Sequence, residues 1–110
     1  MIIDTFGEYM RKLREQEGMP LRKLAAALDI DQSTLSKIER NERRPTKDMI
    51  PPLASTFNLD ENQLMIGFLT DKITYELADE EAGLEALKRA KRQIEYQVKA
   101  SKQQLLTNKE

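Results

Sequence analysis

The chain has 110 residues, 39% of them hydrophobic and 34% charged, with 18 Lys and Arg against 19 Asp and Glu. That length suits one compact domain with an appended arm. It contains no Cys and no His, which excludes disulfides, thiolate or imidazole metal sites, cysteine nucleophiles and the commonest general base; the expectation is a non-enzyme without cofactor or metal.

Thr5 followed by Glu8 forms a capping-box pattern and predicts the first helix, with Phe6, Tyr9, Met10 and Leu13 at helical spacing. Gly18 ends it and Pro20 suits the start of a second helix carrying Leu21, Leu24, Ala25 and Leu28. Asp29, Ile30 and Asp31 make a tight turn, with Asp31 expected to cap a third helix from Gln32 to Arg40. At about 100° per residue, Gln32, Ser33, Ser36, Lys37 and Arg40 share an arc of roughly 140°, while Leu35 and Ile38 face the other way. Asn41 suits the left-handed end of that helix.

A basic loop, Arg43-Arg44-Pro45, leads to Thr46, the expected cap of a fourth helix with Ile50, Leu53, Ala54 and Phe57 inward. Pro51 and Pro52 require a bend or a late start there, because proline lacks an amide hydrogen and clashes with the preceding turn. Asp60 with Gln63 caps a fifth helix carrying Leu64, Phe68 and Leu69 and running towards Ile73 and Leu77. No strand alternation appears, so the fold class is all-α. Apolar runs are too short to span a membrane, and the N-terminal stretch has acids where a signal peptide needs an uninterrupted apolar run; a cytoplasmic location is expected.

Charge is distributed unevenly. Residues 1–45 carry nine basic and eight acidic side chains, residues 46–83 two and eight, and residues 84–110 seven and three. Within residues 32–47, Lys37, Arg40, Arg43, Arg44 and Lys47 face only Glu39 and Glu42. A phosphate backbone responds to such a local patch rather than to whole-chain charge.

Two short helices joined by a tight turn, the second with one apolar and one small polar face, match a helix-turn-helix, whose second helix fits a major groove roughly 12 Å wide. Gln pairs with adenine and Lys with guanine there, while Ser reads less decisively. The run LRKLAAALDIDQSTLSKIERNERRP resembles the lambda-repressor/Cro-like, or XRE-type, helix-turn-helix family of bacterial and phage regulators, over about residues 6–69. The resemblance implies a five-helix DNA-binding domain over residues 1–69. It implies that Gln32, Ser33 and Lys37 read bases, and that Ser36, Arg40, Asn41, Arg43 and Arg44 contact phosphates. Arg14 and Glu39 match the family's buried ion pair. There are departures: Leu21 stands where the family has a Gln, Asp29 and Asn41 stand where it has glycines, and the proline pair is atypical.

Residues 70–110 are expected to form a helical dimerisation arm. Leu84, Leu87, Lys91, Ile94, Val98, Ser101 and Leu105 are spaced alternately three and four residues apart, the seam of a coiled coil. The alternative is a single amphipathic helix folded onto its own domain. Residues 107–110 are expected to fray. The sequence thus points to a homodimeric regulator on double-stranded DNA, autoregulatory in the manner of a phage repressor or restriction–modification controller. The alternative is an antitoxin-type module whose arm captures a protein partner.

Overall fold

The computed structural model describes residues 4–107. Among them there is no strand; six α-helices follow in order. Helix α1 (Phe6–Gln16) begins at the expected capping box: the Glu8 amide donates to Thr5 Oγ1 at 3.2 Å, and the Thr5 amide donates to the Glu8 carboxylate at 3.4 Å. Gly18, at φ 62°, turns the chain towards α2 (Leu21–Ala27). Asp29 then takes φ 56° and Asn41 φ 65° on either side of α3 (Gln32–Glu39). Both thus occupy the left-handed region, which short polar side chains tolerate better than other non-glycine residues.

Two caps differ from expectation. Asp31 has the extended backbone of an N-cap, but its side chain accepts no capping hydrogen bond. Thr46 precedes a 3₁₀ turn, Lys47–Met49, and makes no side-chain cap either. Helix α4 (Ile50–Phe57) starts after that turn. The late start resolves the proline problem: Pro51 and Pro52 lie in the first turn, where no intrahelical acceptor awaits their missing amide hydrogens. Asn58, at φ 52°, closes α4. The Gln63 amide donates to Asp60 Oδ2 at 2.8 Å at the start of α5 (Glu61–Leu77), which does run on through Ile73. Last comes α6 (Gly83–Thr107).

Contacts divide the chain into a unit ending at Lys72 and one beginning at Ile73. The first has a core to which every helix from α1 to α5 contributes, with Met10, Leu24, Leu35, Ile38, Ile50 and Leu53 fully buried. Phe6 meets Phe68 edge-on, ring centroids 5.8 Å apart, so α5 is tied to α1. Phe57 packs partly buried against this core, whereas Leu69 is exposed. In the second unit, Gly83 permits a tight corner, because a Cβ there would collide with the Leu77 carbonyl oxygen. Beyond Gly83, every α6 residue is exposed. Thr107, expected to fray, is helical, its hydroxyl donating to the Gln103 carbonyl at 3.0 Å; residues 108–110 lie outside the described residues.

Candidate nucleic-acid interface

Helix α3 has eight residues, too few to hold itself together without tertiary support. Its support comes from three directions. Leu35 and Ile38 insert into the core. Glu39, also buried, receives both arms of the Arg14 guanidinium, Nε to Oε2 at 2.8 Å and Nη2 to Oε1 at 2.9 Å. The same guanidinium donates through Nη1 to the Met19 carbonyl at 2.9 Å, so one side chain ties α1, the loop before α2, and α3. The hydrogen bond to Glu39 holds the Arg14 guanidinium above its ordinary pKa, against the opposing effect of burial. The expected Arg14–Glu39 pair therefore forms, in the bidentate geometry that fixes orientation as well as charge.

The third support was not anticipated. Gly7 lies where α1 crosses α3 so closely that a Cβ would fall on the Ile38 carbonyl oxygen. Next to this crossing, the Thr5 hydroxyl donates to Asn41 Oδ1 at 2.6 Å, and Asn41 Nδ2 donates to Glu8 Oε1 at 2.8 Å. The capping box of α1 thus also clamps the residue that ends α3. A glycine one position into a helix was the available signal, since such a poor helix former usually has a packing reason.

With the inner face of α3 so occupied, Gln32, Ser33, Lys37 and Arg40 are exposed together, and Ser36 is half-buried beside them. Burial removes Glu39 from the electrostatic surface, leaving Glu42 the one acid exposed among the five basic residues of 32–47. Arg40 pairs with Glu42 at 2.8 Å, both side chains more than half exposed, a contact weak enough to exchange for another anion. Arg43 is exposed, while Arg44 is half-buried and paired with Asp71 of α5. The candidate phosphate-contacting residues are therefore not equivalent: Arg40 and Arg43 are exposed, Asn41 is exposed with its side chain hydrogen-bonded to Thr5 and Glu8, and Ser36 and Arg44 are half-buried. Leu21, the departure at the start of α2, packs partly buried against the core.

Among the described residues no group of acidic side chains is arranged to hold a metal ion, and no helix is long and apolar enough to cross a membrane.

The helix-turn-helix family model matches residues 10–64, from within α1 to within α5. Among curated proteins, the HTH-type transcriptional regulator DdrOP3 of Deinococcus deserti is 33% identical over 60 residues, which are 54% of this chain and 46% of that protein. The chain thus spans about half the length of the curated relative it matches. Among solved structures, the clp gene regulator ClgR from Corynebacterium glutamicum is similar over 87% of this chain and 88% of that chain, at 21% identity and a TM-score of 0.49.

Proposed function

Because this chain belongs to the XRE-type helix-turn-helix family, we propose that it is a sequence-specific DNA-binding transcription regulator, working in the cytoplasm as a homodimer on a pseudo-palindromic operator. The observation that carries this reading is the division of α3: Leu35, Ile38 and Glu39 are buried and clamped, while Gln32, Ser33 and Lys37 stand exposed on one face. A helix held rigidly from behind and lined outward with short or flexible hydrogen-bonding groups is what major-groove reading requires. In this reading Gln32, Ser33 and Lys37 contact base edges, and Ser36, Arg40 and Arg43 hold the flanking phosphates. Asn41 and Arg44 contribute mainly by holding the following loop in position, through Thr5 and Glu8 in one case and Asp71 in the other.

One recognition helix spans only a few base pairs, so a two-fold pair on half-sites about 34–36 Å apart supplies the selectivity. Control then comes through protein concentration and dimerisation, which suits an autoregulator. Selection of bound duplexes from a random pool tests the proposal. The expected result is an inverted repeat whose affinity falls steeply between low and moderate salt, as phosphate neutralisation demands. Lys37→Ala should relax preference at one base position, at about 1–3 kcal/mol, whereas Arg43→Ala should weaken all sites alike. No enrichment, or affinity indifferent to salt, contradicts the proposal.

A second reading draws on the exposed α6: an antitoxin-type module whose arm captures a different protein and which binds its operator secondarily. Stoichiometric co-purification with a second polypeptide would favour it.

A further inference from the structure

The last stretch of α5, the corner after it and the start of α6 form a groove of about 440 Å³, lined by Ile73, Leu77, Leu84 and Leu87 together with Glu80 and Glu81. Leu84 is 78% exposed, and the seam that continues from it along α6 through Ile94, Val98 and Leu105 is exposed throughout. An exposed apolar stripe of this length is characteristic of an interaction surface.

Charge indicates what covers it. Residues 76–81 carry four acids, Glu76, Asp79, Glu80 and Glu81, and no base, whereas α6 carries six bases against Glu85 and Glu95. Lys88, Arg89, Lys91 and Arg92 lie within about two turns of Leu87 on the same chain, Arg89 pairing with Glu85 at 3.5 Å, whereas Lys99 and Lys102 lie about 18 and 22 Å of helix beyond Leu87 and cannot neutralise the groove of their own chain. A second copy supplies the same bases at the right place when its α6 runs in the opposite direction.

We propose that two copies join through antiparallel α6 helices, with the partner's Leu105 seated in the α5–α6 groove and the partner's Lys99 and Lys102 facing the acidic side chains at its edge. The inference rests on the homodimer of the preceding section and adds its geometry. In the register that sets Leu87 opposite the partner's Val98, Leu84 lies opposite the partner's Ser101, and the partner's Leu105 reaches past Leu84 into the corner. The same register sets Glu95 beside the partner's Lys88, Lys91 and Arg92, and it adds the partner's Lys99 and Lys102 beside Glu85, which already pairs with Arg89 of its own helix. A parallel pair in register does the reverse. It brings the two acidic corners together and sets Lys91 against the partner's Lys91 within the seam, like-charge contacts that oppose association.

The chain has no cysteine, so introduced thiols report pairing without interference. Leu87→Cys and Val98→Cys variants of the full chain are oxidised separately and as a mixture. Antiparallel pairing predicts a disulfide-linked heterodimer in the mixture and little cross-linking of either variant alone, since bridging needs Cα atoms within about 7 Å. Self-cross-linking of Leu87→Cys overturns the proposal in favour of a parallel pair, and a monomer by sedimentation at tens of micromolar overturns it outright. Association only with a different protein overturns it as well. As a second measurement, Glu80→Lys with Glu81→Lys should weaken dimerisation about tenfold, and adding Lys99→Glu with Lys102→Glu should restore it; failure of that restoration counts against the register. Duplex binding measured on the cross-linked dimer separates the two ideas. Loss of DNA binding with the antiparallel cross-link intact refutes the DNA-binding reading alone, and a parallel cross-link with DNA binding retained refutes the pairing alone.

Discussion

The unit ending at Lys72 and the helix that closes the second unit treat their apolar residues in opposite ways. In the first, α3 is a mere eight residues long, yet Leu35 and Ile38 are buried to within 1% and Glu39 is clamped by Arg14. In the second, α6 has 25 residues, and every one beyond Gly83 is exposed. A short helix made rigid by its surroundings can present a fixed outer face. A long helix with an exposed apolar seam offers a surface for association. In the function proposed above, the rigid α3 would read a fixed pattern and the exposed seam of α6 would bring two readers together.

Substitutions can break this contrast in order of expected size. Arg14→Met leaves Glu39 buried and uncompensated, so it should cost about 3–5 kcal/mol in denaturant unfolding. Because the Arg14 pKa is raised, the guanidinium's contribution is undiminished from neutral pH up to the ordinary guanidinium range and is lost only as pH rises through the raised value; the penalty of Arg14→Met should therefore be the same at neutral and mildly alkaline pH. Leu35→Ala, at a position with no exposure, should cost about 2–5 kcal/mol by thermal unfolding. The matching change in the arm, Ile94→Ala, should leave the unfolding of the first unit unaltered and instead shift the sedimentation of the chain towards monomer; an equal loss of stability there would erase the contrast.

Smaller effects sharpen the account of how α3 is held. Gly7→Ala should cost about 1–3 kcal/mol, since the added methyl must push α1 away from the Ile38 carbonyl. It should also lower DNA affinity without altering base preference, measured against the selected duplex. Arg44→Ala should cost about 1–2 kcal/mol in unfolding, because it leaves the Asp71 carboxylate, 14% exposed, without its guanidinium partner.

Much of this architecture was legible in local patterns. The Thr5–Glu8 capping box, the left-handed turns at Asp29 and Asn41, the buried Arg14–Glu39 pair and the late start imposed by Pro51 and Pro52 all follow from side-chain chemistry acting over a few residues, or from the family pattern. Asp31 and Thr46 show where such reasoning stops. Both residue types cap helices well, yet whether a cap forms depends on where the side chain settles, and after Thr46 a 3₁₀ turn intervenes before the helix.

What the sequence determined alone was the helical periodicity, the two faces of α3 and the uneven charge, because these depend on residue spacing and on identity. The tertiary structure decided which groups were left over. Folding bonds the side chains of Asn41 and Arg44, phosphate contacts by family resemblance, to Thr5, Glu8 and Asp71, and it brings α1 so close to α3 that Gly7 has no room for a side chain. A side chain's type sets which bonds it can make. The approach of distant parts of the chain sets which of those bonds are already made, and so which groups remain open to a partner.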